Sequence, residues 1–128
     1  MSQNPNFIQA TLTHGNYVFN ISLSILVWED DGIHYIYSPA LDLTGYGTSS
    51  VEAQESFEIM LDEFVRYTEN KKTIYQELER LGWTVNKKKK RVHPPEKEQM
   101  LQDNETYRNL IEMPGVIHRS TNVGLTLA

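Results

Sequence analysis

The sequence predicts an α+β domain: an antiparallel sheet with one long amphipathic helix packed on one face, followed by a further helix and strand. Three observations carry that reading. Between Tyr17 and Trp28, the apolar residues Phe19, Ile21, Leu23, Ile25 and Val27 alternate with Asn20, Ser22 and Ser24. That is the period of two of a half-buried antiparallel strand. Asp31-Gly32 supplies the positive φ angles of a tight hairpin turn. Past Ser49 the period changes, and Phe57, Met60, Leu61, Phe64 and Val65 recur as one helical stripe.

The elements follow in order. Phe7 to Thr13 alternates weakly and predicts a short strand, with His14-Gly15-Asn16 as the turn into the main strand. Ile33 to Ser38, rich in β-branched and aromatic residues, returns from the hairpin, and Pro39 ends it because proline cannot donate to a ladder. Leu41 to Gly47 predicts a further strand in which Gly45 and Gly47 mark a bulge or a close backbone approach. Ser49-Ser50-Val51-Glu52 fits a capping box, with the Ser49 hydroxyl accepting from the helix and Glu52 reaching back. Thr73-Ile74-Tyr75-Gln76 can open a second segment in the same way, closed by Gly82 as a left-handed cap. The spacing leaves open whether 50–69 and 73–81 are one kinked helix or two. Trp83-Thr84-Val85 enters another strand, and Pro94-Pro95 breaks the chain. Glu96 to Met113 reads as one polar helix marked by Met100, Tyr107, Leu110 and Ile111, ended by Pro114-Gly115. Val123, Leu125 and Leu127 mark a last strand within 116–127.

Composition narrows the function classes. The 128 residues suit one domain, large enough to bury about two-thirds of its unfolded surface. No apolar run approaches the ~20 residues of a membrane span, and MSQNPNF has neither the basic residue nor the apolar stretch of a signal peptide. The absence of Cys excludes disulfides, thiolate metal sites and a Cys nucleophile, and agrees with a cytoplasmic location. A net charge of −5 argues against a surface built throughout for nucleic acid.

The order of pieces from Trp28 to Val65 is distinctive: acidic-Gly turn, strand leaving through Pro39-Ala40-Leu41, Gly-containing return, then Ser49-Ser50-Val51-Glu52-Ala53 opening a helix. Over roughly residues 22–67 it resembles the core of HicB-type antitoxins. The resemblance implies a small β-β-β-α unit described as a partial ribonuclease-H-like fold. It also implies a partner, a small basic toxin whose RNase activity family members block by binding it. Many members add a helix-turn-helix or ribbon-helix-helix module that represses their own operon. Here Asp42-Leu43-Thr44-Gly45-Tyr46-Gly47 replaces the usual Pro-Gly-Cys-like return, and no two-helix turn of DNA-binding type follows. The extension LERLGWTVNKKKKRVHPPE and the polar helix after it are instead similar to tails on other HicB-like proteins of unassigned function. The expected division is a HicB-like core over residues 1–92 and an extension over 93–128 that packs on the core or on a neighbouring subunit.

Two acidic groups are candidate partner-binding residues. Glu55, Glu58 and Asp62 form a helix stripe with Glu52 and Glu69. Such a stripe can steer a basic partner, and it is also what solvation asks of any surface helix. Glu29, Asp30 and Asp31 gather at the hairpin tip. Adjacent carboxylates on a strand end diverge, so they make a turn more readily than a metal cage, and no metal site or cofactor is expected. Lys87, Lys88, Lys89, Lys90 and Arg91 are the one basic cluster. They can touch phosphate, or they can solvate a loop or blunt an edge strand. Without those five charges the net charge falls from −5 to −10. His14, His34, His93 and His118 are scattered, and neither a nucleophile elbow nor a phosphate-cradling loop is present. The expectation is therefore a non-enzymatic protein-binding domain, a HicB-like antitoxin or a stand-alone HicB-like protein without a toxin. Unpaired sheet edges favour a homo-oligomer, a dimer or tetramer.

Overall fold

A computed structural model describes residues 9–13 and 16–127. The first four strands are β1 (Gln9–Thr13), β2 (Asn16–Asp30), β3 (Ile33–Ser38) and β4 (Leu43–Gly47). Helices α1 (Ser50–Lys71) and α2 (Ile74–Arg80) follow. After them come β5 (Thr84–Asn86), β6 (Arg91–His93), α3 (Lys97–Asp103), α4 (Glu105–Ile111) and β7 (Ile117–Leu127). The expected turn at His14-Gly15 and the start of the first strand lie outside the described residues.

β2 organises a five-stranded antiparallel sheet, while β5 and β6 pair only with each other. One edge of β2 carries β7, from Tyr17↔Leu127 to Val27↔Ile117. The other edge is shared. β1 takes its first residues, from Gln9↔Asn20 to Thr13↔Asn16, and β3 takes its last, from Leu26↔Tyr37 to Asp30↔Ile33. β4 lies outside β3. The β2–β3 turn uses the expected Asp31 and Gly32, at φ 52° and 79°.

The odd-numbered face of β2 forms the main core. Ile21 and Leu23 pack with Val123, Leu125 and Leu127 of β7, Ile74 and Leu78 of α2, and Trp83. Ile25 and Ile36 pack with Ala53 and Phe57 of α1. Helix α1 lies directly on β4, as the two glycines require. A Cβ at Gly45 would stand 2.6 Å from the Phe57 Cα and 2.7 Å from the Ala53 carbonyl, and one at Gly47 would stand 2.9 Å from the Ala53 nitrogen. Of the expected stripe, Phe57 is buried and Leu61, Phe64 and Val65 are half-buried, but Met60 is 39 % exposed. It sits on the flank of a helix whose contact is centred on Ala53, Phe57 and Thr68.

The capping box is only half formed. Ser49 Oγ accepts the Glu52 N–H at 3.1 Å, but the Glu52 carboxylate accepts from the Thr48 N–H and hydroxyl, one residue before the cap. Those bonds hold the Glu52 carboxyl below its usual value. The helical stretch is two helices. Lys72 adopts a left-handed conformation (φ 55°), and the Thr73 N–H turns back to the Thr68 carbonyl at 2.9 Å. Thr73 makes no side-chain cap, against expectation, and its hydroxyl is buried without a partner. Gly82 closes α2 at φ 96°, with Trp83 N–H to Leu78 O and Gly82 N–H to Glu79 O. The Trp83 indole then donates to the Ala40 carbonyl at 2.7 Å, anchoring the buried Pro39-Ala40-Leu41 exit.

The even-numbered face is not left to solvent. The alternation that predicts a polar side at Asn20, Ser22 and Ser24 turns apolar at Leu26, and α3 and α4 cover that end. Leu26 and Tyr37, cross-strand partners, are buried with Tyr107 and Leu110 of α4. The polar helix expected over 96–113 is broken at Asn104, whose backbone is extended and whose side chain caps α4 by accepting the Tyr107 N–H at 2.9 Å. Asn104 Nδ2 also donates to the Tyr37 hydroxyl, which donates to Asp42 Oδ1, both at 2.8 Å. Desolvation raises the Tyr37 pKa; the Asn104 donor partly opposes that shift, and Asp42 adds to it.

Candidate protein-interaction surface

Three features of α1 shape its outer side. Glycines press the opposite side against β4, so the helix is held as a rigid rib. Glu55, Glu58 and Asp62 are all exposed. Large apolar side chains stand among them, Val51 at 63 % and Ile59 at 58 % exposure. Val51, Glu55, Glu58 and Asp62 fall at i, i+4, i+7 and i+11, one line along the helix, with Ile59 beside it. The strip is less uniformly acidic than its sequence. Arg66 pairs with Asp62 at 2.6 Å, and Gln54 donates to Glu58 at 3.5 Å.

The hairpin tip lies at the N-terminal end of this rib. Glu29 is opposite His34, His34 is opposite Gly47, and Gly47 abuts Glu52. Glu29 and His34 approach to 3.7 Å, and Glu29, Asp30 and Asp31 are exposed. The two predicted acidic groups are thus brought to one end of the molecule, though Glu58 and Asp62 run away from the tip along the helix. Among the described residues no three His, Asp or Glu side chains gather as a metal-ion site.

Lys87 to Lys90 are the turn of the β5–β6 hairpin, with Arg91 opening β6. Asn86 Oδ1 accepts the Lys89 N–H at 3.1 Å, and Lys90 is left-handed at φ 52°. The lysines occupy a turn whose preceding strand, β5, packs on α2.

Two features were not singled out in the sequence. The first is a cross-strand aromatic row on the face opposite α1. Trp28 and Tyr35 stack at 5.1 Å and 14°, and Tyr35 and Tyr46 lie tilted at 6.4 Å, with Tyr46 63 % exposed. The second is a groove of about 380 Å³ between α1 and β7, floored by Ile25, Val27 and Phe57 and bordered by Glu58, Arg119 and Thr121. It opens beside α1, which lies on β4.

Fold and surface together define an α+β domain with an antiparallel sheet, layered by helices on both faces. No helix among the described residues is long and apolar enough to cross a membrane. Comparison with family models, curated proteins and solved structures found no match.

Proposed function

We propose that this chain is a non-enzymatic protein-binding domain of HicB-like antitoxin type, acting in the cytoplasm to neutralise a small basic RNase. The observation that carries the reading is the outer strip of α1, where Glu55, Glu58 and Asp62 alternate with the exposed Val51 and Ile59. Acidic groups interleaved with apolar ones suit a basic partner: the charges speed encounter and the apolar groups supply contact area. The exposed Glu29-Asp30-Asp31 tip extends the same potential beyond the helix N-terminus. The order of turn, Pro-Ala-Leu exit, Gly-containing strand and capped helix supports the same assignment.

The test is co-expression with the product of the neighbouring open reading frame. A small basic product that arrests growth alone, and is silenced and bound by this chain, supports the antitoxin. A harmless neighbour, or one that stays toxic in this chain's presence, overturns it. The stand-alone HicB-like reading would then take its place, and the outer edge of β7, which pairs with no strand among the described residues, favours that second reading.

A further inference from the structure

Two of the borders of the main sheet, those on β4 and β7, are finished differently. On β4, the Tyr46 N–H is held by Ser56 Oγ at 3.2 Å and the Thr48 N–H by the Glu52 carboxylate at 2.9 Å. Side chains of α1 thus occupy the outward amides that would recruit another strand. On β7, eleven residues run with no proline and no lysine, the usual devices that blunt an edge. Its inner edge is bonded to β2, and among the described residues no strand pairs with its outer edge. Residues 117–120 and 122 are exposed. Of the two places expected for the extension, the core takes Val123, Leu125 and Leu127, which β2 and α2 of the same chain bury. Among the described residues no strand covers the backbone on the far side.

We propose that the outer edge of β7 seats a second copy of this chain, its β7 antiparallel to the first about a two-fold axis at Ser120, so that two sheets continue as one. Two constraints favour that axis over the one at Arg119. Side chains must stay on their own faces, so odd residues pair with odd. An axis at Arg119 would set two guanidinium groups opposite each other, and like charges directly opposed are destabilising. An axis one residue on removes the conflict. Ser120 meets its own copy, Arg119 meets Thr121, His118 meets Asn122, and Ile117, 50 % exposed, meets Val123. In this register the strand is complementary to itself, which is what a two-fold interface demands. The same axis sets the two α1–β7 grooves on one face, side by side, since Arg119 and Thr121 border each of them.

The chain has no cysteine, so a single introduced thiol reports the register. Directly opposed residues on antiparallel strands lie ~4.5–5.5 Å apart at Cα, within disulfide range. Ser24 is the control. It is exposed and opposite Ser120 on β2, but its copy would lie three strand spacings off, about 14 Å away. The full chain should scatter light as twice 14.8 kDa at micromolar concentration. Ser120→Cys should form a disulfide-linked dimer on mild oxidation while Ser24→Cys does not. Ser120→Lys, at an exposed position, should halve the mass and leave the circular dichroism spectrum unchanged. A wild-type monomer overturns the proposal, as does Ser24→Cys linking as fast as Ser120→Cys, or a dimer that survives Ser120→Lys. A monomer whose Ser120→Cys variant captures only a foreign chain also overturns it and gives the edge to another protein. None of these readouts involves toxin neutralisation, so they succeed or fail apart from the antitoxin reading.

Discussion

Ser56 on α1 accepts the backbone N–H of Tyr46 on β4 at 3.2 Å, binding the helix to the outer edge of the strand it covers. The bond lies at the surface, so its loss should be cheap globally and visible locally. Ser56→Ala should cost about 0.5–1.5 kcal/mol in urea unfolding. Amide exchange at Tyr46 should accelerate selectively, with exchange in β2 little changed. Uniform acceleration through the sheet would show that the bond does more than close an edge.

Gly45 tests how closely α1 lies on β4. A methyl group there meets helix backbone at Phe57 and Ala53, which cannot rotate away as a side chain would. Gly45→Ala should cost at least about 1–3 kcal/mol, the usual range for overpacking. Gly32→Ala provides the contrast. A methyl group at Gly32 would meet nothing within 4 Å, so its penalty comes from the positive φ of 79° alone, about 1–2 kcal/mol. Equal midpoints for wild type and Gly45→Ala in urea titration would contradict this packing.

Tyr37 should make stability fall in alkali. Burial raises its folded-state pKa above the ordinary 10.0, so the folded chain holds that proton where the unfolded chain releases it. The contribution is complete below pH 10 and is lost progressively as pH rises above it. Tyr75 and Tyr107 are raised by desolvation as well and act in the same sense. Tyr37→Phe should flatten the decline between pH 9 and 11, measured as urea midpoint against pH. At neutral pH it should cost about 1–3 kcal/mol, because Asn104 and Asp42 lose the hydroxyl that joins them. An unchanged alkaline slope would refute the assignment.

Reversal of the helix strip addresses the proposed function. Glu55→Lys, Glu58→Lys and Asp62→Lys together should slow association with a basic toxin on the order of tenfold at low salt, with the difference shrinking as salt rises. The fold should be little affected. The Asp62–Arg66 pair is about two-thirds exposed on both sides, and such pairs contribute ~0–1 kcal/mol. Stopped-flow association at two ionic strengths, with the thermal midpoint as control, separates the two effects. An unchanged association rate would remove the strip from the interface.

Much of the architecture was legible because it rests on local rules. The alternation through Val27 gave the buried face of β2, and Asp31-Gly32 set the hairpin register. That register already places Trp28 opposite Tyr35, so half of the aromatic row was available to simple counting. The break between α3 and α4 also had a signal, since Asn104 followed by Glu105 is a helix start. The break at Lys72 was only half signalled, because Thr73-Ile74-Tyr75-Gln76 can open a second segment but lysine is an uncommon choice for a left-handed cap. Ser56 closing β4 was invisible for another reason: its partner is a backbone amide fixed by tertiary packing. The acidic strip was readable as a helix face, but the groove beside it depends on where α1 comes to rest, which its own sequence does not state.

The pairing of Tyr17 with Leu127 has a temporal side. A growing polypeptide makes β2 early, yet the strand that completes its long edge is synthesised only after every other element. Until then Ile21 and Leu23 lack Val123 and Leu125 as neighbours, and the nascent sheet offers a bare edge to whatever else is in reach. Contacts this distant along the chain slow folding and lengthen exposure to aggregation. Synthesis that stalls before residue 117 should therefore release a product that depends on chaperones, whereas a chain extended through Leu127 closes its own seam.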